Sequence, residues 1–137
     1  MMDETDKRII DELSKNSRIT MKQSGEKIHM TGQAVAARVA KLEGHGVIEG
    51  YTIKLNQAKL LCQVHALITI YTKNIKHAPY LSFVERKEGY VLHHYKISGD
   101  GCYLLECRFP SNPVLDEFLV ELNQYANYKL SIVINKL

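Results

Sequence analysis

The chain has 137 residues, of which 45% are hydrophobic and 24% are charged, and its net charge at pH 7 is +3. This composition is typical of a globular protein with one ordinary domain or two small ones, and it excludes a disordered or fibrous chain. No apolar run approaches the roughly 20 residues that cross a bilayer, and the first residues are acidic and amphipathic, unlike a secretory signal. We therefore expect a cytosolic protein with no membrane partner.

The charge is distributed unevenly over the first 41 residues. Residues 1–14 hold five acidic and two basic side chains, a net charge of −3, whereas residues 15–41 hold six basic and one acidic, a net charge of +5. A local basic block is typical of a surface that binds a polyanion, although an ordinary solvated helix face has the same composition.

The cysteines and histidines predict no metal site, no cofactor and no disulfide framework. Cys62, Cys102 and Cys107 are widely spaced without a Cys-x-x-Cys pair, so we interpret them as free thiols. The adjacent His93 and His94 would point to opposite faces of a strand, which is unsuitable for sharing a metal ion.

Apolar residues recur at helical spacing in three segments of the first third of the chain. The first helix is predicted around Ile9 and Leu13, with Thr5 as its N-cap. The second is predicted between Met21 and Ile28, after residues that suit a turn and a cap.

The third helix has the clearest signals. Its buried stripe is predicted to be Val35, Val39 and Leu42, at positions i, i+4 and i+7. Thr31 is the expected N-cap, and Gly46 suits the left-handed conformation just beyond the helix end. Three short helices with a four-residue connection before the last predict a helix-turn-helix, winged-helix-like domain, with a bare three-helix bundle as the alternative.

The outer face of the third helix favours DNA binding over a bare bundle. It consists of Gln33, Ala34, Ala37, Ala40 and Lys41. Such a flat face lets the helix approach base edges closely, because alanine methyls can touch thymine methyls and a glutamine can pair with adenine. We therefore predict degenerate, A/T-biased sites selected partly by DNA shape, with an affinity that falls steeply with salt.

The candidate DNA contacts form one set of seven residues. They are Lys22, Thr31, Gln33, Ala34, Ala37, Arg38 and Lys41. Arg38 lies on the flank of the helical wheel, and two roles remain open for it: a phosphate contact, or an ion pair with an acid of the first helix such as Asp6 or Asp11.

From residue 51 onward the apolar period changes to two. Residues 51–55 are predicted as a single linker strand. Four further strands are predicted at 64–71, 90–97, 102–109 and 128–135, with helices opened by Pro79 and Pro113. This order predicts an α/β (α+β) chain whose second half is a ferredoxin-like βαββαβ sandwich with both helices on one face. Because the strands carry apolar residues on both sides, we expect the other face to pack on a second copy, giving a homodimer.

Three segments carry a resemblance to a known family. They are DKRIIDELSKNSRIT at residues 6–20, RVAKLEGHGVIEGYT at 38–52 and ISGDGCYLL at 97–105. With them the chain resembles the Lrp/AsnC, or feast/famine, transcriptional regulators of bacteria and archaea. The resemblance implies a nucleoid-associated regulator that binds double-stranded DNA, assembles as dimers, tetramers or octamers, and responds to an amino acid.

The resemblance also suggests a division of the chain. Residues 1–50 are predicted as the helix-turn-helix DNA-binding domain and residues 51–61 as a linker strand and hinge. Residues 62–137 are predicted as the ferredoxin-like domain for ligand sensing and oligomerisation.

The chain departs from the family pattern at its effector loop. The candidate effector contacts there are Ser98, Gly99, Asp100, Gly101 and Cys102. Cys102 replaces the family's aspartate, and a thiol does not supply the fixed negative charge that an α-ammonium group would seek. The resemblance therefore implies an altered or absent amino-acid response, while the same residues also suit a simple turn.

Two further departures lie in the helix-turn-helix. Ser24 and Gly25 replace the usual Leu-Ala pair of the second helix, and His29 replaces the turn glycine. We expect Gly25 to permit close helix packing, Ser24 to lose core area, and His29 to adopt an uncommon backbone conformation or to shift the turn.

Two other functional classes were weighed against a regulator. An enzyme is not expected, because the sequence contains no nucleophile elbow, phosphate-binding glycine loop or His-Glu-x-x-His motif and offers no catalytic residue. An architectural protein that compacts DNA with little sequence preference and no effector response is the alternative to a site-specific regulator.

Overall fold

A computed structural model describes residues 2–137. The chain divides into two compact units, with the boundary between Lys54 and Leu55. Each unit has its own cluster of buried apolar side chains. No helix in the described part of the chain is long and apolar enough to cross a membrane.

The first unit contains the three predicted helices. They are α1 (Glu4–Lys15), α2 (Met21–Ile28) and α3 (Gly32–Gly44). The buried cluster consists of Ile9, Leu13, Ile19, Ile28, Val35 and Val39. The described residues up to Lys54 include no strand, so the helix-turn-helix lacks the β-wing that a winged-helix domain would add.

The start of α1 differs from the prediction. Asp3, not Thr5, is the N-cap, and Thr5 lies inside the helix. The Asp3 carboxylate accepts a hydrogen bond from the Asp6 N–H at 2.8 Å, and the Asp6 carboxylate accepts one from the Asp3 N–H at 3.1 Å. This reciprocal arrangement satisfies two N–H groups at once, which a threonine at position 5 would not do.

The predicted ends of α3 are confirmed. The Thr31 hydroxyl accepts a hydrogen bond from the Ala34 N–H at 3.1 Å, and Gly46 has a positive φ of 73°. The N–H of Gly46 donates to the Glu43 carbonyl and that of Val47 to the Leu42 carbonyl, at 3.0 and 2.9 Å. These two bonds form a Schellman motif, which ends the helix.

The turn between α2 and α3 explains the unusual residues at positions 25 and 29. His29 is the C-cap of α2 and adopts the left-handed conformation with φ 60°. Of the two outcomes expected for His29, the uncommon backbone conformation is therefore confirmed. Gly25 is also demanded by the turn, because a Cβ there would overlap the Met30 carbonyl oxygen. Ser24 is fully buried, and its hydroxyl has no hydrogen-bond partner in the described chain.

The predicted linker strand at 51–55 is wrong for this structure. No strand is present there, and Tyr51, Ile53 and Leu55 are exposed. The alternation of apolar and polar residues is suitable for a strand, but a strand also needs a neighbour to accept and donate its backbone hydrogen bonds. The described chain provides none to this segment.

The second unit has the predicted βαββαβ order. Its elements are β1 (Val64–Thr72), α4 (Ala78–Arg86), β2 (Val91–Lys96), β3 (Tyr103–Phe109), α5 (Asn112–Leu122) and β4 (Ala126–Ile132). The strands form one antiparallel sheet in the order β2-β3-β1-β4. The two short 3₁₀ turns lie at Ala58–Leu60 and Glu88–Tyr90.

Both helices pack on one face of this sheet. Alternate residues of β1, Ala66, Ile68 and Ile70, are fully buried. They form one core with Phe83 of α4 and Phe118 of α5, whose ring centroids are 5.2 Å apart. The period-two pattern of β1 and the helix stripe of α5 therefore meet as the sequence predicted.

The last strand begins and ends earlier than predicted. Ala126 pairs with Thr72, and Ile132 pairs with Ala66 near the start of β1. The Val133 N–H still donates to the His65 carbonyl of β1 at 2.9 Å, but the strand ends at Ile132 and Ile134 is almost fully exposed. The apolar pattern alone therefore does not fix the ends of this strand.

Candidate nucleic-acid interface

The outer face of α3 is exposed and unoccupied by the chain's own side chains. Gln33, Ala37 and Lys41 are exposed, and Ala34 is half-buried. The opposite stripe begins at Val35, which is completely buried. Within residues 2–137, neither Gln33 nor Lys41 makes a side-chain hydrogen bond or ion pair. The face predicted to read DNA is therefore accessible to a partner.

Two further predicted DNA contacts, Lys22 and Thr31, lie at the starts of α2 and α3. Lys22 is exposed in the first turn of α2, and Thr31 is the exposed N-cap of α3. A Cβ built on Gly32 would lie 3.1 Å from the Lys22 backbone nitrogen. The starts of the two helices are thus close together, and helix N-termini with a nearby lysine suit a phosphate group.

Arg38 is held by acids of the first helix. Its Nη1 atom donates to Asp3 Oδ1 at 2.8 Å, to Asp3 Oδ2 at 2.7 Å and to Asp6 Oδ1 at 3.2 Å. Of the two acids considered from the sequence, Asp6 is a partner, whereas Asp11 instead pairs with Lys15 at 2.9 Å. The hydrogen bond from Arg38 is the main reason that the pKa of Asp3 lies below its ordinary value.

Asp3 is the residue of this cluster that the sequence reasoning missed. The signal was present, because an aspartate three residues before another acid at the start of an amphipathic helix is a capping-box pattern. Choosing Thr5 as the cap placed Asp3 outside the helix and hid its approach to Arg38.

The candidate effector loop, residues 98–102, is a tight connection between β2 and β3. The Ile97 N–H donates to the Cys102 carbonyl at 3.0 Å, and the Cys102 N–H donates to the Ile70 carbonyl at 2.7 Å. Gly99 and Gly101 have φ values of 107° and 101°, a region that favours glycine. At Gly101 an added Cβ would also lie 2.7 Å from Thr69 Cγ2.

The charged side chain of the loop is paired within the unit. Asp100 Oδ2 lies 3.3 Å from Lys129 Nζ, and both side chains are mostly exposed. The Tyr71 hydroxyl and Lys129 hold the pKa of Asp100 below its ordinary value. Ser98 is exposed. The loop therefore has one carboxylate, Asp100, which already forms an ion pair with Lys129.

Cys102 lies in a chain of polar groups. Its Sγ is 3.5 Å from Thr72 Oγ1, which is in turn 3.0 Å from His77 Nε2. Hydrogen bonding with Thr72 lowers the pKa of the Cys102 thiol. None of these groups is a carboxylate, so the position does not restore the charge of an aspartate.

The two adjacent histidines of β2 point to opposite sides of the sheet, as predicted. His93 Nδ1 lies 3.0 Å from Glu106 Oε1 on the face without helices, whereas His94 Nε2 lies 2.9 Å from the Tyr80 hydroxyl of α4. In the described residues, no group of three His, Cys, Asp or Glu side chains has a geometry that could hold a metal ion.

The sequence is similar to known transcriptional regulators along its whole length. Residues 2–43 match the AsnC-type helix-turn-helix domain. The HTH-type transcriptional regulator LrpA of Bacillus subtilis is 60% identical over 136 residues, which are 99% of this chain and 100% of LrpA. LrpB of the same organism is 36% identical and covers 98% of this chain and 90% of its own.

Solved structures agree with the fold. B. subtilis LrpC has 28% identity and a TM-score of 0.93, covering 100% of this chain and 97% of LrpC. A transcriptional regulator of Neisseria meningitidis, solved as an L-Met complex, shares the fold with a TM-score of 0.91 at 22% identity, covering 100% and 92% of the two chains. With its helix-turn-helix, its ferredoxin-like unit and these relatives, the chain belongs to the Lrp/AsnC family of DNA-binding transcriptional regulators.

Proposed function

We propose that the outer face of α3 enters the major groove and reads degenerate, A/T-biased DNA sites. Gln33 pairs with adenine, Ala34 and Ala37 contact thymine methyls, and Lys41 contacts a phosphate. The observation that carries this proposal is the exposed, unpartnered outer face of α3. Lys22 and Thr31, at the neighbouring helix starts, supply further phosphate contacts.

Gln33 is the one side chain on this face that we expect to form strong hydrogen bonds with a base. Direct contacts with bases therefore contribute little sequence specificity. DNA shape and bending then contribute to site choice, and phosphate contacts supply most of the affinity. This division favours a regulator with graded site preferences over an architectural protein without any, in agreement with relatives that are transcriptional regulators. We assign the chain no catalytic role and place its action in the cytoplasm, where the DNA is.

Selection of bound sites from random DNA, combined with salt titration, tests the reading face. Gln33→Ala should change which sequences are enriched. Lys41→Ala should weaken binding to all sequences alike and reduce the slope of log affinity against log salt by roughly 0.9, the value for one lost phosphate contact. Lys7→Ala, which removes an exposed lysine of α1, is the matched control and should leave the slope unchanged. An unchanged enrichment profile for Gln33→Ala would refute the proposed docking.

The sheet face without helices is the proposed homodimer surface. Register places Leu67 of β1 beside Glu106 of β3, and Thr69 beside Leu104. Tyr95 of β2 pairs with Leu104 and is 51% exposed. The face thus carries apolar side chains around the paired carboxylate of Glu106, and no helix of the described unit covers it, which suits a second copy of the same surface. Dimers of this kind are the units from which we expect tetramers or octamers to assemble.

Sedimentation at low protein concentration tests this surface. Leu67→Glu should convert the dimer to a monomer, because it replaces an apolar contact by a second carboxylate beside Glu106. Val120→Glu, at an exposed position of α5, introduces the same charge elsewhere and should leave the dimer intact. A wild-type chain that sediments as a monomer would refute the dimer.

We also propose that the amino-acid response differs from the family's usual one. A relative in fold has been solved with L-Met, but here the loop's single carboxylate, Asp100, is beside Lys129, and Cys102 supplies no fixed charge. Titration with each amino acid should show weak binding or none. Cys102→Asp should then strengthen binding by supplying a carboxylate for the α-ammonium group, and Cys102→Asn is the uncharged control. Tight binding by the wild-type chain would contradict this account.

A further inference from the structure

We propose that Arg38 is a positioning residue that fixes the orientation of α3 against the start of α1, and that it does not bind DNA. The inference rests on the proposed reading face of α3, whose angle it would set. It decides between the two roles that the sequence left open for this arginine.

The acids that hold Arg38 are themselves fixed. Asp3 and Asp6 are joined by the reciprocal capping hydrogen bonds at the start of α1. Asp3 Oδ1, which accepts the bond from Arg38, also accepts the Asp6 N–H. The guanidinium therefore binds a preformed pair of carboxylates and does not have to order two mobile side chains.

The rest of the contact between α3 and its neighbours is mainly apolar. Val35 and Val39 are buried in the core of the unit, and burial of small aliphatic groups is not directional. Charge-assisted hydrogen bonds are directional and stronger than neutral ones. The Arg38 cluster is thus the contact best able to fix the rotation of α3 about its own axis.

Arg38 lies next to the proposed reading face, so a rotation of α3 would change how that face meets DNA. It follows Ala34 by one helical turn, and it adjoins Ala37, so it borders the proposed reading face. Since successive residues are about 100° apart on the helix, a modest rotation of α3 would move Gln33 and Ala37 relative to the base edges.

The local charge argues against a phosphate contact by the same arginine. Two carboxylates surround one guanidinium, and only 34% of the Arg38 side chain is exposed, against 57% for Asp3 and 9% for Asp6. A phosphate approaching this cluster would meet a net negative charge unless Arg38 first left its partners.

The test compares the affinity for a selected site with that for random DNA, together with the salt slope. Arg38→Ala and the double variant Asp3→Asn/Asp6→Asn should each lower the ratio of the two affinities about tenfold, the lower end of what one good base contact supplies. Combining all three changes should add no further loss. The salt slope should not change, because no phosphate contact is removed. Asparagine remains a good N-cap, so the double variant keeps α1.

Two comparisons separate this account from the alternatives. Glu4→Gln removes an acid from the same turn of α1 outside the cluster, and it should leave the affinity ratio unchanged. If Arg38 contacted phosphate, the double aspartate variant would bind all DNA more tightly, Arg38→Ala would reduce the salt slope, and Arg38→Lys would retain it; that pattern would overturn the inference.

The result also distinguishes the two proposals. Should Gln33→Ala and Lys41→Ala act as proposed while the Arg38 and aspartate variants leave the ratio unchanged, only the positioning role fails. Should Gln33→Ala have no effect either, the reading face itself is wrong. Circular dichroism on each variant verifies that the helices are retained.

Discussion

The two candidate binding surfaces of this protein differ in how much of their chemistry the chain already uses. The outer face of α3 carries small side chains and two polar ones, Gln33 and Lys41, that have no partner among residues 2–137. In the loop at 98–102, Asp100 forms an ion pair with Lys129, and the Cys102 thiol is hydrogen-bonded with the Thr72 hydroxyl. A partner can bind the first surface without breaking any contact, whereas a ligand of the second must compete with internal ones.

The polar contacts of the first unit follow the same principle. Arg38 borders the face but is tied to Asp3 and Asp6. The ion pair nearest the reading face thus lies beside that face and not on it. A polar side chain of this unit is thus a candidate DNA contact when it has no partner within the chain, as with Gln33 and Lys41. Arg38, which has partners, stabilises the fold instead.

The largest expected effect concerns the turn that presents α3. Gly25→Ala would drive a methyl group into the Met30 carbonyl and should destabilise the first unit by about 3 kcal/mol, the upper range for overpacking. Gly44→Ala is the control, because a Cβ there meets nothing within 4 Å. Denaturant unfolding of both variants measures the difference. Equal stabilities would show that the α2–α3 turn is looser than the structure indicates.

A similar change in the effector loop should have a somewhat smaller effect. Gly101→Ala places a methyl group 2.7 Å from Thr69 Cγ2 and also imposes an unfavourable φ, so we expect a loss of about 2 kcal/mol. Gly99→Ala shares the positive φ but meets nothing within 4 Å, and its loss should be nearer 1 kcal/mol. Thermal unfolding distinguishes the pair. If the two variants lose the same stability, contact with Thr69 does not constrain the loop.

One substitution should stabilise the DNA-reading unit. The Ser24 hydroxyl is buried without a hydrogen-bond partner, and removing an unsatisfied polar group should raise the free energy of unfolding by about 1 kcal/mol. Ser24→Ala removes the hydroxyl and retains the Cβ, so little packing is lost. A drop in the unfolding midpoint would mean that the hydroxyl has a partner, such as a bound water.

The smallest effect is expected from the exposed pair in the effector loop. The pKa of Asp100 is lowered by Tyr71 and Lys129, so its contribution to stability is present above the ordinary carboxyl pKa and is lost as the pH falls through the lowered value. Asp100→Asn should flatten this part of the stability profile and change little near pH 7, because exposed ion pairs contribute weakly. A large loss at neutral pH would show that the pair is structural.

Much of the fold was predictable because its signals are local. The Thr31 cap, the Gly46 terminator and the Val35 stripe depend on residues within a few positions of one another, and the structure has all three. The same local reasoning predicted the exposed face of α3. It also predicted the opposed directions of His93 and His94, since side chains alternate along any strand.

The failures occurred where the answer depends on distant partners. β4 begins at Ala126, opposite the last residue of β1, Thr72, and residues 51–55 form no strand because nothing in the described chain pairs with them. The pairing of Arg38 with Asp3 joins residues 35 positions apart. No local pattern around Arg38 identifies that partner, although the cap signal at Asp3 could have placed it in α1.

A single pair of variants tests the central claim that the outer face of α3 lies against DNA. Ala37→Glu places a carboxylate at the centre of that face, and Ala36→Glu places the same charge about 100° away around the helix, where the exposed side chain of Glu43 already lies. Both changes keep a residue with good helix propensity. We predict that Ala37→Glu lowers DNA affinity at least about 100-fold, because a like charge at the contact costs several kcal/mol, whereas Ala36→Glu lowers it by less than about tenfold. Equal effects of the two variants, or wild-type binding by Ala37→Glu, would contradict the account.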